Sequence, residues 1–179
     1  MATKSVRIEL TGITPLLMHR YPMEEIEAIA KKTPAEQAEI AAYRVPAGEY
    51  AGQLYVPGIA LRQALVAGGV FSKGKGRASL QKSVSACVMV MPEYLLLGTE
   101  KFIIDSRPVV MPSTKGRVMR YRPRIDEWSV VAEIEFDDAL ITEKQLRQIV
   151  DDTGKRVGLL DFRPEKKGMF GRFVVTNWN

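Results

Sequence analysis

The chain has a single cysteine, Cys87, and a single histidine, His19, among its 179 residues. One cysteine excludes an internal disulfide, and one histidine leaves very little from which to build a zinc site. The same scarcity argues against a Ser-His-Asp or Cys-His catalytic engine, unless His19 is its centre. No apolar run approaches the roughly 20 residues that a bilayer span needs. Met1-Ala2-Thr3-Lys4 leads into a strand pattern rather than a signal peptide. No metal cluster, phosphate loop or dinucleotide fingerprint stands out. What is present is globular in composition, 46% hydrophobic and 26% charged, and long enough to bury its own core. These features lead to the expectation of one domain over residues 1–179, cytoplasmic, without cofactor or membrane association.

Acidic residues are missing from two long stretches. Arg62 to Pro92 carries Arg62, Lys73, Lys75, Arg77 and Lys82 and no acid. Ser106 to Ile125 carries Arg107, Lys115, Arg117, Arg120, Arg122 and Arg124, again with none. A third basic cluster of Lys155, Arg156, Arg163, Lys166, Lys167 and Arg172 is diluted only by Asp161 and Glu165. The acids gather elsewhere, at Glu24 to Glu39, Asp126 to Asp138 and Glu143 to Asp152. A net charge of +5 means little alone, but this distribution predicts one positive face, as a polyanion binder needs. The competing reading is a solvated charged surface.

Val6, Ile8 and Leu10 alternate with polar residues, so 4–11 reads as a strand. Between Met23 and Tyr43 helical periodicity is interrupted at Thr33-Pro34, where Thr33 can cap and Pro34 can open a second helix. Pro57-Gly58 precedes a helix over 59–70, and Ser72 to Ser79 is a glycine-serine loop with three cations. A strand is expected over 84–91. Lys101 to Val110 and Arg117 to Tyr121 form two arms of a hairpin around a turn at 112–116. Trp128 to Phe136 alternates as a strand. Thr142 to Gln145 is a capping box opening a helix that Gly154 should end, and 171–177 is a last strand. Without the acidic helical segment at about 22–50 and the basic hairpin at about 98–125, the order is βαββαβ. That is the α+β, ferredoxin-like or RRM-type fold, an antiparallel sheet with two packed helices.

Three short stretches resemble a known family. Leu54 to Leu65 (LYVPGIALRQAL) is similar to the IPGSSLKGALR segment of the RAMP superfamily, the repeat-associated proteins of CRISPR effector complexes. Gly12-Ile13-Thr14-Pro15-Leu16-Leu17 sits where those proteins turn after their first strand. Val157 to Phe173 resembles their glycine-rich loop before the last strand. The resemblance implies a backbone subunit that oligomerises along a strand, with a helical insertion and a thumb hairpin. A small stand-alone relative from a phage or other mobile element fits as well as a CRISPR component. The chain is shorter than most backbone subunits and lacks an isolated aspartate in the first loop.

The expected partner is single-stranded RNA or DNA, bound with little sequence preference by a homo-oligomer or filament. Such binding needs cations along a groove and flat surfaces on which bases stack. On the hairpin, Arg117, Met119 and Tyr121 share one face and Arg120, Arg122 and Arg124 the other, so Met119 and Tyr121 either wedge between bases or form the buried side. Arg62 lies one turn inside its helix, where free amides favour an anion. Lys73, Lys75, Arg77 and Lys82 extend that side. Arg163, Lys166, Lys167 and Arg172 surround Phe170, which is either a stacking platform or a core plug, with binding preferred for Phe170 and the core for Phe173. His19 and Arg20 follow the first strand. His19 either contacts the strand or acts as general base in a metal-independent endoribonuclease, the enzymatic alternative. A third reading has the basic face meet an acidic protein.

Overall fold

The computed structural model describes residues 3–74, 76, 78–111 and 113–179. Its central sheet is built from β1 (Thr3–Gly12), β4 (Met89–Met91), β8 (Ser129–Asp137) and β9 (Phe173–Trp178). They lie in the order β4-β8-β1-β9, and every neighbouring pair is antiparallel. Alternation along β1 and β8 turns Val6, Ile8, Leu10, Val130, Ala132, Ile134 and Phe136 inward, each at most 5% exposed. Against that face pack Leu61 and Leu65 of α3 (Gly58–Gly68) and Leu146, Ile149 and Val150 of α5 (Glu143–Asp152). The result is a mixed α+β protein with antiparallel sheets.

Two further sheets flank the centre. β2 (Leu16–Leu17), β7 (Arg117–Ile125) and β6 (Ile103–Val110) form one, in that order. β3 (Tyr55–Pro57) and β5 (Tyr94–Leu96) form the other. The hairpin pairs Val110 with Arg117 and Ile103 with Arg124, so its second arm runs beyond Tyr121 to Ile125. The extension is held by β2, which pairs with Arg124 and Ile125, and by Met18 N–H donating to the Pro123 carbonyl at 2.9 Å. Pro112, in the expected turn, lies outside the described residues. The helical segment has α1 (Ile26–Ala30) and α2 (Pro34–Ile40). Thr33 and Glu36 close a reciprocal capping box at the start of α2, with Pro34 in the first turn.

Two expectations from the sequence need correction. The stretch 84–91 is not one strand: Gln81–Cys87 is a helix, α4, and only Met89–Met91 is extended. Val84, Val88 and Val90 alternate with Ser85, Cys87 and Met89, which mimics a strand. The buried pair Val84 and Val88 is also four apart, and packing of α4 against α3 decides for the helix. Nor does Gly154 end α5. The chain continues as a wide π-turn over Thr153–Val157, and Gly158, at φ 76°, terminates it. Gly154 is small for another reason: a Cβ there would run into the Phe173 carbonyl and ring of β9. Gly154→Ala is expected to lower the melting temperature by several degrees through that clash, a loss of about 1–3 kcal/mol, while the capping variant Thr142→Ala costs about 1 kcal/mol. Thermal denaturation of both variants checks the order.

Candidate nucleic-acid interface

The chain leaves β2 through the fully buried Met18 and exposes His19 and Arg20 at the surface. Arg20 N–H donates to the Ala41 carbonyl at 2.9 Å, and Asp161 N–H to the Leu17 carbonyl at 3.0 Å. These backbone bonds bring the loop after β2 against the glycine-rich segment before β9. His19 Nδ1 then lies 3.7 Å from Asp161 Oδ2. Asp161 also pairs with Arg122 Nη1, whose other nitrogen reaches Asp105 at 3.7 Å. Asp105 in turn receives a two-pronged bond from Arg107, 2.7 Å on each oxygen. Arg107 lies over the rings of Phe170 and Phe162, 4.8 and 5.8 Å from their centroids. One chain of charge thus ties the first loop, both hairpin arms and the glycine-rich loop together.

Beside this chain opens a cavity of about 370 Å³, between the outward side of α3 at Gln63 and the backbone of Gly158 to Arg163. His19, Asp161 and Tyr43 border it. Tyr43 begins an aromatic ladder, with Tyr55 at 5.7 Å between centroids and Tyr94 a further 4.6 Å on. All three rings are half-buried, and burial holds the Tyr43 and Tyr55 phenols above their ordinary pKa, with the nearby Arg20 acting in the opposite sense. The loop backbone approaches closely because Gly171, at φ 71°, leaves no room for a Cβ against the Leu159 carbonyl. Gly171 N–H donates to the Pro15 carbonyl and Leu159 N–H to the Gly171 carbonyl, so the glycine locks the loop to the first turn.

Desolvation lowers the His19 pKa below its ordinary value. Asp161 opposes that shift, and Arg122 and Arg120 add to it. An unfolded imidazole therefore takes up its proton at higher pH than the folded one, and folding stability falls as the pH drops through about 6.5. His19→Gln is expected to flatten that part of the slope. Melting temperatures of both proteins at pH 7.5 and 5.5 check this, and identical slopes would contradict it.

The residues singled out from the sequence divide into three groups. His19 and Arg163 border the cavity, Arg20 lies with His19 on a separate small pocket beside Arg120 and Tyr121, and Arg163 also bonds Glu165 and the Leu160 carbonyl. Lys166 and Lys167 are exposed on the loop beyond it, and Lys73 and Lys82 are exposed at the far end of α3 and on α4. Arg117 and Met119 are exposed on the hairpin, and Arg120 and Tyr121 are half-buried. Met119 and Tyr121 border a cleft of about 410 Å³ closed opposite by Ile29 of α1 and Gln37 of α2. Arg124 is bonded to Asp126 at 2.6 Å. Lys75 and Arg77 lie outside the described residues.

Four assignments change. Arg122 is 5% exposed, held between two aspartates, and cannot reach a phosphate. Phe170 is also 5% exposed, sealed under Arg107 and Phe162, so it is a core plug and not a platform for bases. Arg62 donates to the Val88 and Ser85 carbonyls at 2.9 and 2.8 Å, fastening the end of α4. The first amide of α3 is not free either, since Gly58 N–H is bonded to the Glu93 carbonyl at 2.7 Å. Arg172 is only half-buried, but its Nε is buried without a partner among the described residues, and its backbone N–H donates to Thr14 Oγ1.

Sequence reading missed Tyr43, Tyr55, Tyr94, Asp161 and Gln63. The tyrosines come from three separate segments, so no local pattern joins them. Asp161 was visible as an acid inside a basic block, which is a signal of its own. The outward face of the central sheet carries Met89, Met91, Ser129, Val131, Glu133, Glu135, Ser5, Arg7, Glu9 and Thr11. None is aromatic, and the acids outnumber Arg7. Among the described residues, no group of three metal-ligating side chains gathers anywhere, and no helix is long and apolar enough to cross a membrane. No protein-family model matches the chain, and a search of curated proteins found no match.

Proposed function

We propose that the protein binds single-stranded RNA or DNA with little sequence preference and oligomerises along it, as a RAMP-type backbone subunit does. One observation carries this reading. A 370 Å³ groove bordered by Tyr43, His19, Arg163 and the glycine-rich loop lies beside the hairpin that has no acid from Ser106 to Ile125, and Arg20 lies close to its tyrosine. A groove with a stackable ring, an arginine at its rim and further exposed cations nearby fits what single-strand binding needs. The sheet order β4-β8-β1-β9, with α3 and α5 on one face, supports the ferredoxin-like reading of the fold, and α1-α2 and the β6–β7 hairpin are the insertions. The outward sheet face, where an RRM stacks bases on aromatics, is acidic and unsuited here, which favours the helix-side groove.

Gel-shift titrations with single-stranded and duplex oligonucleotides over a salt series test the reading. Single strands are expected to bind more tightly, with log affinity falling linearly in log salt at about −0.7 per phosphate contacted. No salt-dependent binding to single strands would refute it. A second reading has one observation behind it: His19, whose pKa desolvation holds below its ordinary value, lies 3.7 Å from Asp161 at the edge of the groove, which supports a general-base role on a ribose hydroxyl. Cleavage of RNA in EDTA, lost in His19→Ala with binding retained, would establish it.

A further inference from the structure

The carboxylate of Asp161 is held through one of its oxygens. The bond from Arg122 and the approach of His19 both fall on Oδ2, and among the described residues no hydrogen bond reaches Oδ1. An ionised carboxylate only accepts, with about four lone-pair sites on its two oxygens. Asp161 thus keeps accepting capacity where its side chain, 33% exposed, borders the 370 Å³ cavity. The backbone on either side of it is bent against its own preference. Leu160 and Phe162 sit at φ 59° and 48°, the left-handed region that bulky side chains avoid. Tertiary bonds hold the bend: Asp161 N–H donates to the Leu17 carbonyl at 3.0 Å and Phe170 N–H to the Phe162 carbonyl at 3.1 Å. Strain kept in place around one exposed acid is a mark of a ligand site.

A free carboxylate oxygen repels phosphate, so this wall of the cavity suits the part of a nucleotide that is neutral and donates: the base. The other walls fit that role. Tyr43 offers a half-buried ring on which a base can stack. Gln63 of α3 is exposed, and its amide makes no hydrogen bond among the described residues. Arg163 already donates to the Leu160 carbonyl and to Glu165, which leaves the Gln63 amide as a donor for a base carbonyl. The volume lies near the small end of ordinary ligand pockets, about 300–1,000 Å³, and takes one base with its sugar.

We propose that this cavity is a guanine-selective base pocket, with the Asp161 carboxylate accepting from the base's N1–H and 2-amino group, the Gln63 amide donating to O6, and Tyr43 stacking on the ring. Guanine alone among the common bases presents two adjacent donors on its pairing edge. Adenine and cytosine place a ring-nitrogen lone pair beside their single amino group, which would face the carboxylate. Uracil and thymine flank their one N–H with carbonyls on both sides. A carboxylate therefore rejects all four by repulsion as much as it attracts guanine. With the base carried by a strand, the pocket deepens the proposed binding function and rests on it: binding stays tolerant along most of the strand and becomes selective at one position per subunit. A free guanine nucleotide presents the same edge, and the experiment separates the two sources.

Fluorescence anisotropy on short thymidine strands that differ at one central base, with calorimetric titration of guanosine and adenosine monophosphate beside it, tests the pocket. The wild type is expected to bind the guanine strand about tenfold or more tighter than the adenine strand, with hypoxanthine, which lacks the 2-amino donor, between them. Asp161→Asn is expected to bring the guanine-to-adenine ratio within about twofold of unity and to turn the preference toward xanthine, whose 2-carbonyl accepts from the new amide. A residue that only supports the fold would not exchange one base for another. Gln63→Ala, on the exposed side of α3, is expected to lower the ratio about threefold with the melting temperature unchanged, so the pocket stays testable if Asp161→Asn fails to fold. A wild-type ratio near one in both arms, or a ratio that neither variant lowers, would overturn the pocket and leave any salt-dependent strand binding standing. Selectivity on strands without binding of guanosine monophosphate assigns the base to a strand. Selective binding of guanosine monophosphate without strand binding would refute the binding function and leave the pocket as a site for a guanine nucleotide.

Discussion

Arg122→Met is expected to cost about 3 kcal/mol of folding stability and to lower the melting temperature by about 6–12 °C. The side chain is 6% exposed and lies between Asp105, itself 5% exposed, and Asp161. Breaking a buried pair by removing one partner leaves an uncompensated charge, which is worth about 3–5 kcal/mol. The lower end applies because Asp105 keeps its two bonds from Arg107 and Asp161 is a third exposed, so water can replace part of what is lost. Arg122→Lys keeps the charge without the planar fork and is expected to recover roughly half of the deficit. Asp161→Asn is expected to cost less than Arg122→Met, since Arg122 would still have Asp105. Urea and thermal denaturation of the three variants give the ranking. A loss under about 1 kcal/mol for Arg122→Met would mean that the hairpin is not anchored through this pair.

The same residue shows why the fold was more legible than the site. Alternation in β1 and β8 and the reciprocal caps at Thr33 and Thr142 are local signals, each spanning a few residues, and the structure has them where the sequence places them. Arg122 carries no such signal. In sequence it is one more cation in an acid-free run, and only the three-dimensional approach of Asp105 and Asp161 converts it into an anchor. Arg62 was misread in the same way, since the carbonyls it binds belong to a helix that alternating valines had disguised as a strand. Charge runs report how much positive potential a surface can carry, but not which members are used inside the fold. The cations left after this subtraction, Arg20, Arg117, Lys115, Lys166 and Lys167 among them, are the ones a polyanion can reach.

Under the proposed function, those remaining cations and the tyrosine ladder make separable contributions to strand binding, and this is where the second large effect is expected. Reversal of Arg20, Arg117 and Lys166 to glutamate together is expected to lower affinity for a single strand at least a hundredfold, at about 1 kcal/mol for each lost contact before any repulsion is added. The salt dependence should flatten by about 2 in the log-log slope, three contacts at about 0.7 each. Tyr43→Leu keeps the packing volume of a half-buried position and removes the ring, so it is expected to weaken binding by about 1–3 kcal/mol at every salt concentration with the slope unchanged. The two signatures are orthogonal: one changes how affinity depends on salt, the other displaces the whole line. If the triple reversal left the slope intact, the positive face would not be the strand's path. If Tyr43→Leu changed the slope instead of the intercept, the ring would be acting through Arg20, which lies close enough to influence its phenol, rather than by stacking.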